Sequence, residues 1–175
     1  MGIFEFLMVL VSIIIGLGIG EILTGIARVI RCRKSITGYW IHSVVVAAIF
    51  FALLQQWWEI WGLRAASEWT FYGLLMMLAG PVGLNLIAHL LFPEPVQGAN
   101  LRDYYYGAMR PVWWLGALTV VLATIFRPLV FGESLLTPEN ATSFLFFFGF
   151  ITLAISIRQI LHSILVPAIM FLGKV

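Results

Sequence analysis

Seven polar residues sit inside apolar stretches of this chain: Glu21, His42, Asn85, His89, Arg158, Gln159 and His162. Such groups can pass protons or small cations, because histidine changes charge near neutral pH and carboxyl and amide oxygens hold cations. Two histidines on different helices can also ligate a b-type haem. A third use is mechanical, clamping helices to one another or to a partner chain. A charge held in hydrocarbon costs at least a few kcal/mol, so Glu21 and Arg158, the acid and base set deepest, are expected to pair. Thr152, Ser156, Gln159 and Ser163 follow i, i+4, i+7, i+11 spacing and predict one polar stripe, with Arg158 and His162 beside it.

A second constellation is LLQQWWEIWGLR, residues 53 to 64. At about 100° per residue, with Gln55 at zero, Glu59 falls near ~40° and Gln56 near ~100°, while Trp57, Trp61 and Trp58 fall near ~200°, ~240° and ~300°. The tryptophans suit an interfacial belt, joined by Trp69. Gln55, Gln56 and Glu59 form the polar arc of an outer rim, facing other helices or a hydrated vestibule.

The elements that must position these groups follow from composition. The chain is 62% apolar and 10% charged, with a mean hydropathy of +1.03. Soluble chains carry about 25% charged residues, so this one is read as a polytopic membrane protein, all-α. Five stretches are long enough to cross a bilayer as helices, roughly residues 3–27, 38–62, 69–92, 111–131 and 141–166. They make a single transmembrane domain over residues 1–175 and leave no room for a soluble one. The first stretch is preceded by MGIFEF, which has no base, so it reads as a retained helix and not as a signal peptide.

Arg28, Arg31, Arg33 and Lys34, with Arg102, Arg110 and Lys174, fall on one side of a five-span arrangement. The positive-inside bias then puts the N-terminus outside and the C-terminus in the cytoplasm. The first four of these bases are expected to meet anionic lipid head groups, which also accounts for the basic surroundings of Cys32. In the connection PEPVQGANLRDYYYGAMRP, Asn100 is expected to cap a short helix with Asp103 in its first turn, and Pro111 to open the fourth span. Tyrosines 104 to 106 then lie at headgroup level. Pro81 is expected to free backbone carbonyls in the third span.

Gly16 and Gly20 have the spacing of a close helix contact, and a homo-oligomer is expected with the first helix as one candidate contact. Gly18 and Gly25 flank Glu21 on another face. No metal-ligand cluster, nucleophile–base pair or phosphate-binding loop occurs, so neither an enzyme nor a nucleic-acid partner is expected. WWEIWGLR and the loop of prolines and tyrosines give the chain a general likeness to small bacterial membrane proteins, implying an inner (plasma) membrane location. The functional expectation is an oligomeric channel or transporter component for protons, small cations or solutes. The alternatives are a non-catalytic scaffold, sensor or complex subunit, and a bis-histidine haem protein.

Overall fold

A computed structural model of the chain describes residues 2–65, 70–132, 134, 138–156 and 158–172, apart from the side chains of residues 65, 127, 131, 138–142 and 170–172. Trp69 and Lys174 lie outside the described residues. The protein is all-helical, and strand-like pairing among the described residues is limited to an isolated bridge between Thr37 and Asn100. The helices are α1 (Ile3–Arg31), α2 (Trp40–Trp61), α3 (Phe71–His89), α4 (Leu101–Ala108), α5 (Arg110–Phe131), α6 (Pro138–Ile155) and α7 (Gln159–Leu172).

Four of them, α1, α2 with the 3-10 turn that follows it, α3 and α5, are long and apolar enough to cross a membrane. These match the first four expected spans. The fifth does not form as one helix. It is two shorter apolar helices, α6 and α7, and the polar stripe expected across residues 152–163 is broken between them.

The break has a local cause. Ser156 keeps its backbone bond to the Thr152 carbonyl, but its own carbonyl accepts from His162 Nε2 at 2.8 Å, and its hydroxyl oxygen accepts from the Arg158 N–H at 3.2 Å. Side-chain groups thus take the place of the next rungs of the helical ladder. The chain reverses there: a Cβ on Gly149 would meet Ile169 Cδ1 at 2.8 Å, so α6 and α7 lie antiparallel. Consequently α7 leads back toward the end at which α1 begins, which differs from the expectation that the two termini point to opposite sides.

Helices α1, α3, α5 and α6 pack in that order as a row, α2 lies on α1 and α3, and α7 lies on α2 and α6. Small residues set the closest approaches. A Cβ on Gly18 would meet Leu53 Cδ1 at 3.2 Å and Asn85 Cα at 3.4 Å, one on Gly25 would enter the Phe92 ring, and one on Gly83 would strike Thr119. Gly16 and Gly20 face open space instead, so within the protomer the packing glycines of α1 are Gly18 and Gly25.

The Gly18–Asn85 and Gly25–Phe92 contacts share the same sequence offset, so α1 and α3 run parallel in a fixed register. Helix α4 closes the end of the bundle at which α1 finishes. Asn100 Oδ1 accepts from the N–H groups of Arg102 and Asp103, as the sequence predicts for an N-cap. Thr37 anchors the same point, accepting from the Leu101 N–H at 3.0 Å. That end carries Arg28, Arg31, Arg33, Lys34, Arg102 and Arg110 and is called the basic end below.

Candidate functional site

The basic end is built around a ring cluster carried by α4. Tyr105 is 1% exposed and meets His162 and Tyr39 edge-on, with centroid separations of 5.4 Å in each case, and Trp113 at 5.9 Å. Such edge-to-face contacts place the positive ring edge on the neighbour's negative face. The polar tips are satisfied too: Tyr39 and Tyr106 hydroxyls lie 2.8 Å apart, and the Tyr105 hydroxyl lies 2.8 Å from His162 Nδ1. Because His162 Nε2 faces the Ser156 carbonyl, it must carry the proton. In the neutral ring, Nδ1 is then the acceptor and Tyr105 donates. Burial pushes the Tyr105 and Tyr39 hydroxyls well above the ordinary tyrosine range, reinforced at Tyr39 by the bond to Tyr106.

His42 serves the same end of the bundle. Its Nε2–H donates to the Leu91 carbonyl at 2.7 Å, while the Tyr104 hydroxyl donates to the carbonyls of Leu90 and Phe92 at 2.9 and 3.2 Å. Carbonyls at a helix C-terminus have no partner within the helix. Here α2 and α4 supply side-chain donors to the carbonyls just past α3. Burial, with Glu94's charge second, raises the Tyr104 hydroxyl as well. Gln159 Oε1 accepts from Arg102 Nη2 at 2.8 Å, tying α4 to the start of α7.

Glu21 and Arg158 do not pair. The salt bridge among the described residues joins Arg28 to Glu94 at 3.1 Å, and Arg158 is exposed at the α6–α7 turn. The physical reason is the packing order: Glu21 sits on α1, which packs on α2 and α3, whereas Arg158 leads into α7, which packs on α2 and α6.

The α1–α3 register instead sets three of the expected residues within about one helical turn of each other along the seam. Counting on from Gly18 and Asn85 puts Glu21 level with Ala88, one residue from His89. Glu21 is half-buried and makes no hydrogen bond or ion pair among the described residues. Asn85 Oδ1 is buried with no hydrogen-bond partner. His89 Nδ1 lies 2.9 Å from the Asn85 carbonyl, so it carries the proton, and Nε2 of the neutral ring is a bare acceptor. This turn of the seam therefore holds a carboxyl, an amide oxygen and an imidazole nitrogen, and among the described residues no side-chain hydrogen bond is made to them. Leu17, Thr24, Leu86 and His89 beside it are exposed, so the seam opens on the outside of the protomer.

At the opposite end, Gln55 donates to Glu59 at 3.0 Å and both are exposed, while Gln56 turns inward onto Gly80. The expected polar arc is thus divided. Trp57 donates to Ser12 at 3.1 Å and stacks on Trp61, and Trp58 is 70% exposed, as a belt residue would be.

His42 and His162 do not fit as a bis-histidine haem pair. Both nitrogens of His162 are committed to protein groups, His42 faces a carbonyl, and the space beside each ring is filled by Tyr104, Phe92, Tyr105, Tyr106 or Trp113. A haem would need that space lined by small residues. No group of three or more His, Cys, Asp or Glu side chains among the described residues is placed to hold a metal ion.

The ring cluster is what sequence reasoning missed. Its signal was three consecutive tyrosines one turn after a strong N-cap, since successive helical residues point about 100° apart and one of three must face inward. Comparison with protein-family models, with characterised proteins and with solved structures finds no match for this chain.

Proposed function

We propose that the chain is an integral membrane protein that assembles with copies of itself and conducts protons or small cations along the outer α1–α3 seam. The membrane reading is supported by the four long apolar helices and by the large apolar side chains on their outer faces, among them Phe6, Leu17, Phe51, Leu75 and Leu118. Water would charge a heavy penalty for that surface, and lipid would not. The basic end faces the cytoplasm, so α1 begins outside. Helix α7 is directed back toward that outer side, and the expectation of a cytoplasmic C-terminus is not retained. Arg28, Arg31, Arg33 and Lys34 then stand at the level of anionic lipid head groups, in a bacterial inner membrane.

The observation that carries the transport reading is the unmet Glu21, Asn85 and His89 acceptors within about one helical turn of the seam. A carboxyl within a span is costly unless something meets it, and acceptors without donors suit a proton or a small cation. The interior of the protomer is closed by contacts such as Gly25 on Phe92 and Gly83 on Thr119, so the route runs along the outside of one protomer and is completed by the next. A helix laid on the open Gly20 and Thr24 would border Glu21.

Reconstitution into liposomes with an interior pH dye, and in parallel a monovalent-cation indicator, tests the proposal. Wild-type protein should conduct and Glu21→Gln should not, with Gln55→Ala at the other end leaving flux unchanged. Wild-type flux equal to that of empty liposomes would remove the transport reading. A non-conducting scaffold or complex subunit is the second reading. It is favoured by the filled interior and by the side-chain bonds that fasten α4 across the basic end.

A further inference from the structure

A groove of about 480 Å³ lies at the basic end between the last turns of α1 and the loop after α3, lined by Arg28, Arg31, Cys32, Glu94 and Gln97 among others. Its shape is set from below. Gly25 has no side chain, so Phe92 sits down on α1 and is 7% exposed, and the loop that follows is drawn alongside Arg28 and Arg31. Arg28 Nη1 then meets Glu94 Oε1 at 3.1 Å and holds the two walls in place.

That pairing leaves a particular set of groups unused. Arg31 is exposed and forms no ion pair with a described residue. Arg28 is held through one of its five N–H donors, and the remainder can still reach an anion. On the other wall, Glu94 keeps its second oxygen free, its side chain being 79% exposed. The floor is the C-terminal end of α1, where the helix dipole favours positive charge. A purely anionic ligand would satisfy the guanidinium groups and be repelled by Glu94 and the helix end. A ligand carrying a phosphate beside a primary ammonium satisfies both walls.

We propose that this groove is a binding site for an aminoalkyl phosphate, supplied by the head group of phosphatidylethanolamine, with the phosphate on Arg31 and Arg28 and the ammonium on Glu94. The lipid source rests on the membrane reading above, which sets the end of α1 at headgroup level. An ethanolamine ammonium has N–H donors for the Glu94 carboxylate, whereas the quaternary ammonium of phosphatidylcholine has none. The groove therefore distinguishes lipids of identical net charge.

Cys32 lines the groove, is half-buried, and is the chain's single cysteine, so its alkylation reports occupancy. The experiment measures the rate of Cys32 reaction with a neutral maleimide in phosphatidylcholine nanodiscs, alone or doped with phosphatidylethanolamine or phosphatidylglycerol. A site about nine-tenths occupied leaves about a tenth of the protein reactive, so phosphatidylethanolamine should slow labelling roughly tenfold. Phosphatidylglycerol should slow it much less. Glu94→Gln, a change on an exposed side chain, should abolish the preference for phosphatidylethanolamine, and Arg31→Gln should weaken protection by both lipids.

Equal rates in all three nanodiscs, or equal protection by phosphatidylglycerol, would overturn the proposal. Protection by soluble phosphoethanolamine but not by phosphatidylethanolamine would overturn the lipid assignment. Failure of the membrane reading is seen separately, as protein that alkaline carbonate strips from membranes.

Discussion

Replacing Tyr105 by phenylalanine removes one oxygen and leaves every ring contact in place, which isolates the hydrogen bond to His162. The ring edges on Tyr39, Trp113 and His162 are retained, and both partners are essentially buried, at 1% and 2% exposure. The variant leaves His162 Nδ1 with no donor. A buried acceptor stripped of its partner costs about 1–3 kcal/mol, more than the net worth of about 0.5–1.5 kcal/mol for an ordinary bond. Tyr39→Phe is the internal control: its partner, Tyr106, is half-buried and can turn to water, so the loss should stay within the smaller range. Equilibrium unfolding in mixed micelles of dodecyl maltoside with increasing dodecyl sulfate reads both, and a cycle with His162→Leu apportions the coupling. If Tyr105→Phe costs no more than Tyr39→Phe, and the cycle gives a coupling near zero, the hydroxyl does not serve His162 and the tautomer argument fails.

Alkali should loosen the basic end. Tyr105 and Tyr39 have folded-state values raised above the ordinary 10.0, so the folded protein holds these protons more tightly than the unfolded chain does. Their stabilising contribution is complete below about pH 10 and is lost as pH rises beyond it; tyrosinate absorbance should show them silent until the protein unfolds, and ordinary titration of all the tyrosines in folded protein would contradict this. Gly25→Ala drives a methyl into the Phe92 ring and should lose about 1–3 kcal/mol of stability by overpacking, read by the same unfolding assay. In a Cys32→Ser background, Gly149→Cys with Ile169→Cys should form a disulfide on mild oxidation, because the two positions touch across the α6–α7 turn. One continuous helix would hold them about 30 Å apart and give no cross-link.

The four long helices were legible because nothing in an apolar stretch of that length competes with the helical ladder. The Asn100 cap and the Pro111 helix start were legible because both act through their own backbone neighbours. The α6–α7 turn was not, since it carries neither glycine nor proline at residues 156–158 and depends on His162 reaching back to the Ser156 carbonyl. Arg158 and Glu21 looked like partners only because both are charged. Which helices adjoin is decided by how closely Gly18, Gly25, Gly83 and Gly149 let particular pairs approach, and no local pattern encodes that choice. The Arg28–Glu94 bridge was hidden for the same reason, as it follows from Phe92 settling on Gly25. Of the expected polar cluster, Glu21, Asn85 and His89 fall within about one helical turn of one seam, His42 and His162 are consumed in closing the basic end, and Gln159 fastens α4.

The central claim is that Glu21 works at a contact between copies and not within one protomer, and mixing tests it most directly. Wild type and Glu21→Gln are co-reconstituted at graded ratios and proton flux is measured with the interior pH dye. A path that needs Glu21 from both members of a symmetric pair should retain about a quarter of wild-type flux in an equal mixture. Retention of about half, falling linearly with the variant fraction, would mean that each protomer carries its own path. Full flux from Glu21→Gln alone would contradict the account outright.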